Sequence, residues 1–148
     1  PEYYRSQFEY VTHFYMSAGS YIQNKYVGVL KYELDGITYY FIDNEEYFNC
    51  FQPYGNIRYD IEKFCFFDKA VLSILPAINF KPDLIHCHDW ETGFIPVYLK
   101  NEFSADGFYW GIRTIMTIHN LKFQGVWDIE TMRGLTGFSS DLFVPDKL

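Results

Sequence analysis

Basic residues are scarce in this chain. Twelve Lys and Arg stand against nineteen Asp and Glu, giving a formal charge of −7 and an isoelectric point near 4.9. Nucleic-acid binding needs clustered cations to displace counterions from phosphates, so this balance argues against it, and equally against an acidic membrane surface. Long apolar runs are missing too. None reaches the ~18 residues of a membrane span, and no charged, apolar and small-residue series resembles a signal peptide. The chain is therefore expected to be soluble and cytosolic. Cysteine is limited to Cys50, Cys65 and Cys87, with no Cys-x-x-Cys spacing. That odd set indicates neither a disulfide framework nor a zinc knuckle, and it fits a reducing compartment. No Gly-x-Gly-x-x-Gly follows a strand-like run, which argues against a dinucleotide oxidoreductase. The sequence opens on Pro1 rather than Met, and it ends on Leu148 after Pro145-Asp146-Lys147. Both ends are expected to be cuts in a longer protein.

What is present is the composition of a globular domain: 49% hydrophobic and 21% charged residues over 148 positions. A chain of that length buries roughly 68–70% of its unfolded surface. The aromatic share of 22% can fill a core or line a sugar-binding face, and the core reading is taken first. No internal repeat, low-complexity tract or second domain is visible.

Along the chain, the Tyr-rich and polar stretch 1–24, with Ser17-Ala18-Gly19-Ser20, reads as an irregular arm with one short helix. From Tyr26 to Asp43 strand formers flank Asp35-Gly36, whose two residues suit the positive φ angles of a tight turn, so this segment is a β-hairpin. A polar segment, 43–56, follows. Ile61, Phe64, Val71, Leu72, Leu75 and Ile78 then recur at helical spacing, which predicts an amphipathic helix of about five turns ending near Pro76. Leu84 to His88 reads as a short strand, and Asp89 to Lys100 as a helix with Asp89 a candidate N-cap and Glu91 in its first turn. Arg113 to Ile118 is dominated by β-branched residues and completes a βαβ unit, which predicts a parallel strand pair. Segment 119–148 reads as loop with short helical pieces.

Two polar clusters therefore stand at the carboxyl ends of the two parallel strands: His86-Cys87-His88-Asp89-Trp90 and His119-Asn120. Open α/β sheets bind ligands there, because the loops and helix starts present free backbone groups. A zinc site is a rival reading of His86, His88 and Asp89, but nothing nearby completes the ligand spacing of known motifs. A Cys87/His88 nucleophile pair is weaker, since neighbours on a strand point to opposite faces. Asp89 is read both as a cap and as a ligand contact, and the two roles can coexist. His86, inside its strand, is read as a satisfied core histidine. His119 follows a strand read as buried, where its polar ring serves no packing purpose, so it is the stronger functional candidate.

The same residues carry a family resemblance. Lys81-Pro82-Asp83-Leu84-Ile85-His86-Cys87-His88-Asp89-Trp90-Glu91-Thr92-Gly93 resembles the KPD-[IV]-[IV]-H-x-[HN]-D-W-x-[TA]-G signature of bacterial glycogen and plant starch synthases, glycosyltransferase family 5. Thr117-Ile118-His119-Asn120-Leu121-Lys122-Phe123-Gln124-Gly125 resembles their T-[IV]-H-N-[LI]-x-[YF]-Q-G. Tyr39-Tyr40-Phe41-Ile42-Asp43-Asn44 and Pro53-Tyr54-Gly55 are similar to the family as well.

The resemblance implies an α/β fold: an incomplete Rossmann-like parallel sheet with a β-hairpin, forming part of the N-terminal half of a GT-B enzyme. It implies transfer of glucose from ADP-glucose to the non-reducing end of an α-1,4-glucan, with retention, no cofactor and no required metal. By analogy His119 and Asp89 are the catalytic candidates, with His119 contacting the donor glucose where oxocarbenium-like charge develops. Tyr54 and Trp90 would lie toward the sugar and acceptor. Asn120 and Gln124 are further substrate-binding candidates, although both could simply tie down their loop. The family's Lys-x-Gly-Gly-Leu loop does not occur in these 148 residues. The chain is accordingly expected to be a partial N-terminal catalytic domain, lacking the first strands and the whole C-terminal domain, and inactive alone. Two alternatives are a non-catalytic carbohydrate-binding module, which needs several tyrosines on one exposed face, and another GT-B enzyme such as sucrose synthase. If two strands are missing between hairpin and Leu84–His88, a gap of roughly 9–10 Å opens in the sheet. The strands must then rearrange to close it, or the free edge of Leu84–His88 must pair with a second copy.

Overall fold

Strand β1 (Glu9–Ala18) is the first element of the computed structural model, which describes residues 6–50 and 52–144. Pro1 and Pro145-Asp146-Lys147-Leu148 lie outside that range. The strand replaces the irregular arm expected over 1–24. Phe14, Met16 and Ala18 turn inward while His13, Tyr15 and Ser17 turn out, which is the period of a half-buried strand. The polar composition of the segment hid that alternation. Gly19-Ser20 is the turn into strand β2 (Ile22–Leu34). Gly19 has φ +62°, and a Cβ there would stand 2.2 Å from the Gly134 carbonyl oxygen, so the turn needs glycine to dock.

Strand β3 (Ile37–Asp43) returns through Asp35 and Gly36, at φ +52° and +78°, as the hairpin reading expects. The three strands form one antiparallel sheet in sequence order. Tyr15 stands opposite Tyr26 and Tyr32 opposite Tyr39. Helix α1 (Glu45–Phe48) is a single turn, capped by Asn44, whose Oδ1 accepts from Tyr47 N at 3.0 Å. Helix α2 (Ile57–Ala77) begins one turn before Ile61, the first apolar position of the expected helix, because Asn56 caps it by accepting from Arg58 N. Its inner face, including Ile61, Cys65, Phe66 and Ala70, forms the main core with Ala18, Ile22, Val27 and Val29 of the sheet.

Pro76 lies in the last turn of α2. Having no N–H, it leaves the Leu72 carbonyl without its helical donor. The Tyr109 hydroxyl donates to that oxygen at 3.0 Å, and burial, followed by the charge of Asp106, pushes the phenol up to about 12.

Strands β4 (Leu84–His88) and β5 (Arg113–Thr117) pair in parallel, Leu84 opposite Arg113 through His88 opposite Thr117. The single helix expected from Asp89 to Lys100 is split into a 3-10 turn, Trp90–Thr92, and helix α3 (Ile95–Asn101). Pro96 in the first turn of α3 favours a start there. The start is capped from another element, since Asp68 Oδ2 of α2 accepts from Phe94 N at 2.7 Å. Burial holds the Asp68 carboxyl well above the usual carboxylate range against the lowering pull of the Phe94 and Ile95 amides. Helix α4 (Ile129–Thr136) is capped by Asp128 and closed by Gly137 at φ +77°. A second core gathers Leu72, Leu75, Cys87, Ile95, Tyr98, Tyr109 and Phe138.

The two sheets stay separate. Among the described residues β4 pairs only with β5, so strands do not rearrange to close a gap. No helix among the described residues is long and apolar enough to cross a membrane.

The Pro76–Tyr109 arrangement predicts non-additivity. Tyr109→Phe leaves a buried carbonyl unsatisfied and is expected to cost about 1–3 kcal/mol in urea unfolding. In a Pro76→Ala background the new amide serves Leu72, and the cost of Tyr109→Phe should fall below about 1 kcal/mol. Equal costs in both backgrounds would contradict the account.

Candidate functional site

The two polar clusters meet because β4 and β5 end in register, His88 opposite Thr117. The first residue past β4 is Asp89, which carries φ +58° and ψ −173°. That region is nearly exclusive to glycine and costs of order 1–3 kcal/mol for other residues. Asp89 is held there from both ends. Its amide donates to Thr117 O at 2.9 Å, and its Oδ1 accepts from His119 N at 2.6 Å. The expected N-cap role is corrected accordingly: Asp89 makes no side-chain cap bond to the turn that follows, and its Oδ1 is engaged across the strand pair instead. Thr92 ties the same corner, accepting from His88 N at 2.7 Å and donating to His88 O at 2.8 Å.

Along β4, Cys87 turns into the core while His86 and His88 face out. Burial pushes the Cys87 thiol up to about 11, and its neighbour His88 points the other way, so no nucleophile pair forms. The core reading of His86 is corrected: it is exposed, with Nε2 2.7 Å from Thr117 Oγ1. β5 is not a buried strand either, since no described element covers the face bearing Ile115, which is 50% exposed. His119, just beyond it, lies with Nε2 3.1 Å from His88 Nδ1, the rings 5.3 Å apart and near parallel. Among the described residues no group of three or more His, Cys, Asp or Glu is arranged to hold a metal.

On the other side of Asp89 the chain opens a cavity of about 520 Å3, whose lining includes Tyr54, Asp89, Trp90, Asn120 and Gln124. Five of the six sequence-designated residues thus share one concavity. His119 does not line it, but is fixed to Asp89 at its rim through the backbone bond. Trp90 is positioned by contacts on two sides. Phe64 meets its ring edge-on at 5.2 Å, and Gly125, at φ +60°, lies so close that a Cβ would stand 2.2 Å from Trp90 Cε3. The Gln-Gly pair of the second motif therefore seats the indole. Asn120 Oδ1 accepts from Lys122 N at 3.0 Å, and Gln124 Nε2 donates to Leu121 O at 2.9 Å, so both side chains tie the loop as well as line the cavity.

Tyr54 sits on a loop clamped from α2. Asp60 Oδ2 accepts from Gly55 N at 2.9 Å, while Lys63 Nζ donates to Pro53 O at 2.5 Å and to Asp60 Oδ1 at 2.9 Å. Lys63 and Asp60 are 3% and 6% exposed, a buried pair whose remaining bonds go to that loop. The Tyr54 phenol is raised above its ordinary value, first by its hydrogen bond to Glu91 and then by burial. Glu91, Lys122 and Phe123 also line the cavity, and none was singled out as a site residue from the sequence. In sequence Glu91 reads as a first-turn charge suited to a helix dipole, and only that charge and its nearness to Trp90 signal a place in the site. Behind Trp90 a second cavity of about 430 Å3 includes Asp68, whose Oδ1 has no partner among the described residues. Among the other tyrosines, Tyr15, Tyr26, Tyr32 and Tyr39 share the outward face of the antiparallel sheet, while Tyr47, Tyr98 and Tyr109 are core and Tyr10, Tyr21 and Tyr59 are exposed.

A family profile described as starch synthase catalytic domain matches residues 1–148. The chain is 57% identical over 148 residues to a glycogen synthase of Lachnoclostridium phytofermentans, covering all of this chain and 30% of that protein. It is 55% identical over 145 residues to one of Lachnospira eligens, covering 98% and 30%. The chain thus spans about a third of the length of these curated relatives. Among solved structures it resembles the catalytic domain of starch synthase IV from Arabidopsis thaliana bound to ADP and acarbose, with TM-score 0.80 and 25% identity, over 95% of this chain and 29% of that one.

Proposed function

We propose, from the premise that this chain belongs to the starch synthase catalytic domain family, that it forms part of the N-terminal domain of a retaining glucosyltransferase. The donor is ADP-glucose, and the acceptor is the non-reducing end of an α-1,4-glucan. The first strand–helix turn with its Lys-x-Gly-Gly-Leu and the whole C-terminal domain belong to the longer protein. A sucrose synthase is set aside by the family match.

The observation that carries this reading is the cavity that gathers Tyr54, Asp89, Trp90, Asn120 and Gln124 at the carboxyl ends of β4 and β5, with His119 bonded to its rim. An aromatic wall with carboxylate and amide groups suits a glucosyl unit, which offers apolar C–H faces and hydroxyl donors. The starch synthase IV bound to ADP and acarbose lends the same ligand classes to the proposal.

Breaking a glycosyl–phosphate bond requires the cationic sugar to be held in place and the leaving diphosphate to be neutralised. His119 and Asp89 serve the first requirement, His119 toward the donor glucose, while Tyr54 and Trp90 hold the acceptor side. The second requirement falls to cations outside these residues. The free state of Cys50, Cys65 and Cys87 agrees with a cytoplasmic location, which is part of the same proposal.

Two outcomes follow. The 148-residue chain, incubated with ADP-glucose and glycogen, is expected to release no ADP, whereas in the complete enzyme His119→Ala should lower kcat by about 10²–10³ with little change in glucan binding. Turnover by the chain alone, or near-normal kcat in the variant, would contradict the assignment. Self-association through the edge of β4 that no strand among the described residues pairs is also part of the proposal. Light scattering of the chain should give twice the monomer mass, and a monomer at all concentrations would remove it.

A further inference from the structure

We propose that His88 is a positioning residue for His119, fixing both the orientation and the tautomer of its ring. The idea rests on the functional reading above only for its catalytic consequence. Its structural content stands on the geometry at the ends of β4 and β5.

Residues two apart on a strand share a face, so His86 and His88 project together from β4. Their rings lie 4.1 Å apart between centroids, close enough to limit each other's rotation. His86 is anchored across the strand pair by Thr117, with Nε2 2.7 Å from Oγ1. His88 then reaches His119, its Nδ1 3.1 Å from Nε2, with an angle of 24° between the ring planes. The backbones are tied down as well. Thr92 holds His88 through both amide and carbonyl, and Asp89 Oδ1 holds the His119 amide. Anchors therefore stand at both ends of the row Thr117–His86–His88–His119.

A neutral imidazole has one N–H and one lone pair. A hydrogen bond between His88 Nδ1 and His119 Nε2 requires one nitrogen to carry the proton and the other to lack it. The two tautomers are consequently complementary: if His88 Nδ1 is protonated, His119 carries its proton on Nδ1, and if His119 Nε2 is protonated, its Nδ1 is the lone pair. In either case what His119 Nδ1, the nitrogen outside the bond, offers to a partner is coupled to the tautomer of His88. A group meant to contact a reacting sugar gains from a preset ring, because a free imidazole would have to choose its tautomer and angle during the reaction.

The test separates the bond from the stack. His88→Phe keeps an aromatic ring against His86 and His119 but removes Nδ1. His88→Asn loses the ring but places an amide atom near the Nδ1 position. Imidazole 15N spectra of the 148-residue chain at about pH 8, above the ordinary imidazole range, resolve pyrrole-type from pyridine-type nitrogens at each of the four histidines. The expected result is opposite types at His88 Nδ1 and His119 Nε2. In His88→Phe the His119 shifts should move to intermediate values of exchanging tautomers, and His88→Asn, which restores a hydrogen-bond partner, should move them back toward those of the unmodified chain. His13, far off on β1, serves as the control for the fold. Like types at the two nitrogens, or unchanged His119 shifts in His88→Phe, would overturn the proposal.

In the complete enzyme, His88→Phe should lower kcat by about 10²-fold with KM for the glucan unchanged, and His88→Asn should recover part of the loss. Full activity in His88→Phe beside an inactive His119→Ala would overturn the catalytic role of the positioning. If His119→Ala itself were active, the functional reading would fail while the tautomer result stood on its own.

Discussion

The double hold on Asp89 is the constraint on which the rest of the site depends. One residue bonds through its amide to Thr117 and through its carboxylate to the His119 amide, and so welds the end of β4 to the end of β5. The cost is a backbone conformation that a residue with a side chain rarely adopts. That conformation throws the chain sharply out of the sheet, so Trp90 enters the turn beside the cavity while His88 stays on the strand face behind it. Two surfaces, one of histidines and one of aromatics and amides, thereby share a single hinge point.

Support for that point comes from α2, whose residues enter both hydrophobic cores. Ile61 through Ile74 on one face join the core under the antiparallel sheet, while Leu72 and Leu75 join Cys87, Ile95 and Tyr98 of β4 and α3. Polar groups buried along it do structural work at a distance: Asp60 and Lys63 clamp the Tyr54 loop, Asp68 caps α3, and the Leu72 carbonyl freed by Pro76 is taken by Tyr109. Buried polar groups of this kind persist because each finds a partner. Asp68 Oδ1 is the exception, and burial accordingly favours its protonated form.

Much of this was legible in the sequence. The hairpin around Asp35-Gly36, the helix over the apolar repeat through Ile78, and the parallel pair with its two polar clusters all follow from local periodicity and turn chemistry. Placement of the two polar clusters at strand ends pointed to one crevice, whereas Tyr54 and Gln124 joined the candidates only through the family resemblance. Other features depend on contacts distant in sequence and left no local trace. Strand β1 was hidden by polar residues on its outward face, and its turn is explained only by Gly134 and Gly137 packed against Gly19. The helix start at Ile95 is capped by Asp68, 26 positions away. Asp89 looked like a cap because Asp before an apolar run usually is one; its true partner is the amide of His119, 30 residues on. His86 was misread because an apolar-leaning strand does not disclose which of its faces is covered.

The most direct test of the central claim is the exchange rate of a single amide proton, that of His119, in the unmodified chain and in Asp89→Asn and Asp89→Ala. Asparagine keeps a carbonyl acceptor at the same place, whereas alanine keeps none. The account predicts a protected His119 amide, largely retained protection in Asp89→Asn, and exchange faster by about tenfold or more in Asp89→Ala, the equivalent of losing one hydrogen bond of about 1.4 kcal/mol. Equal rates in the unmodified chain and in Asp89→Ala would show that the carboxylate does not hold the two strand ends together.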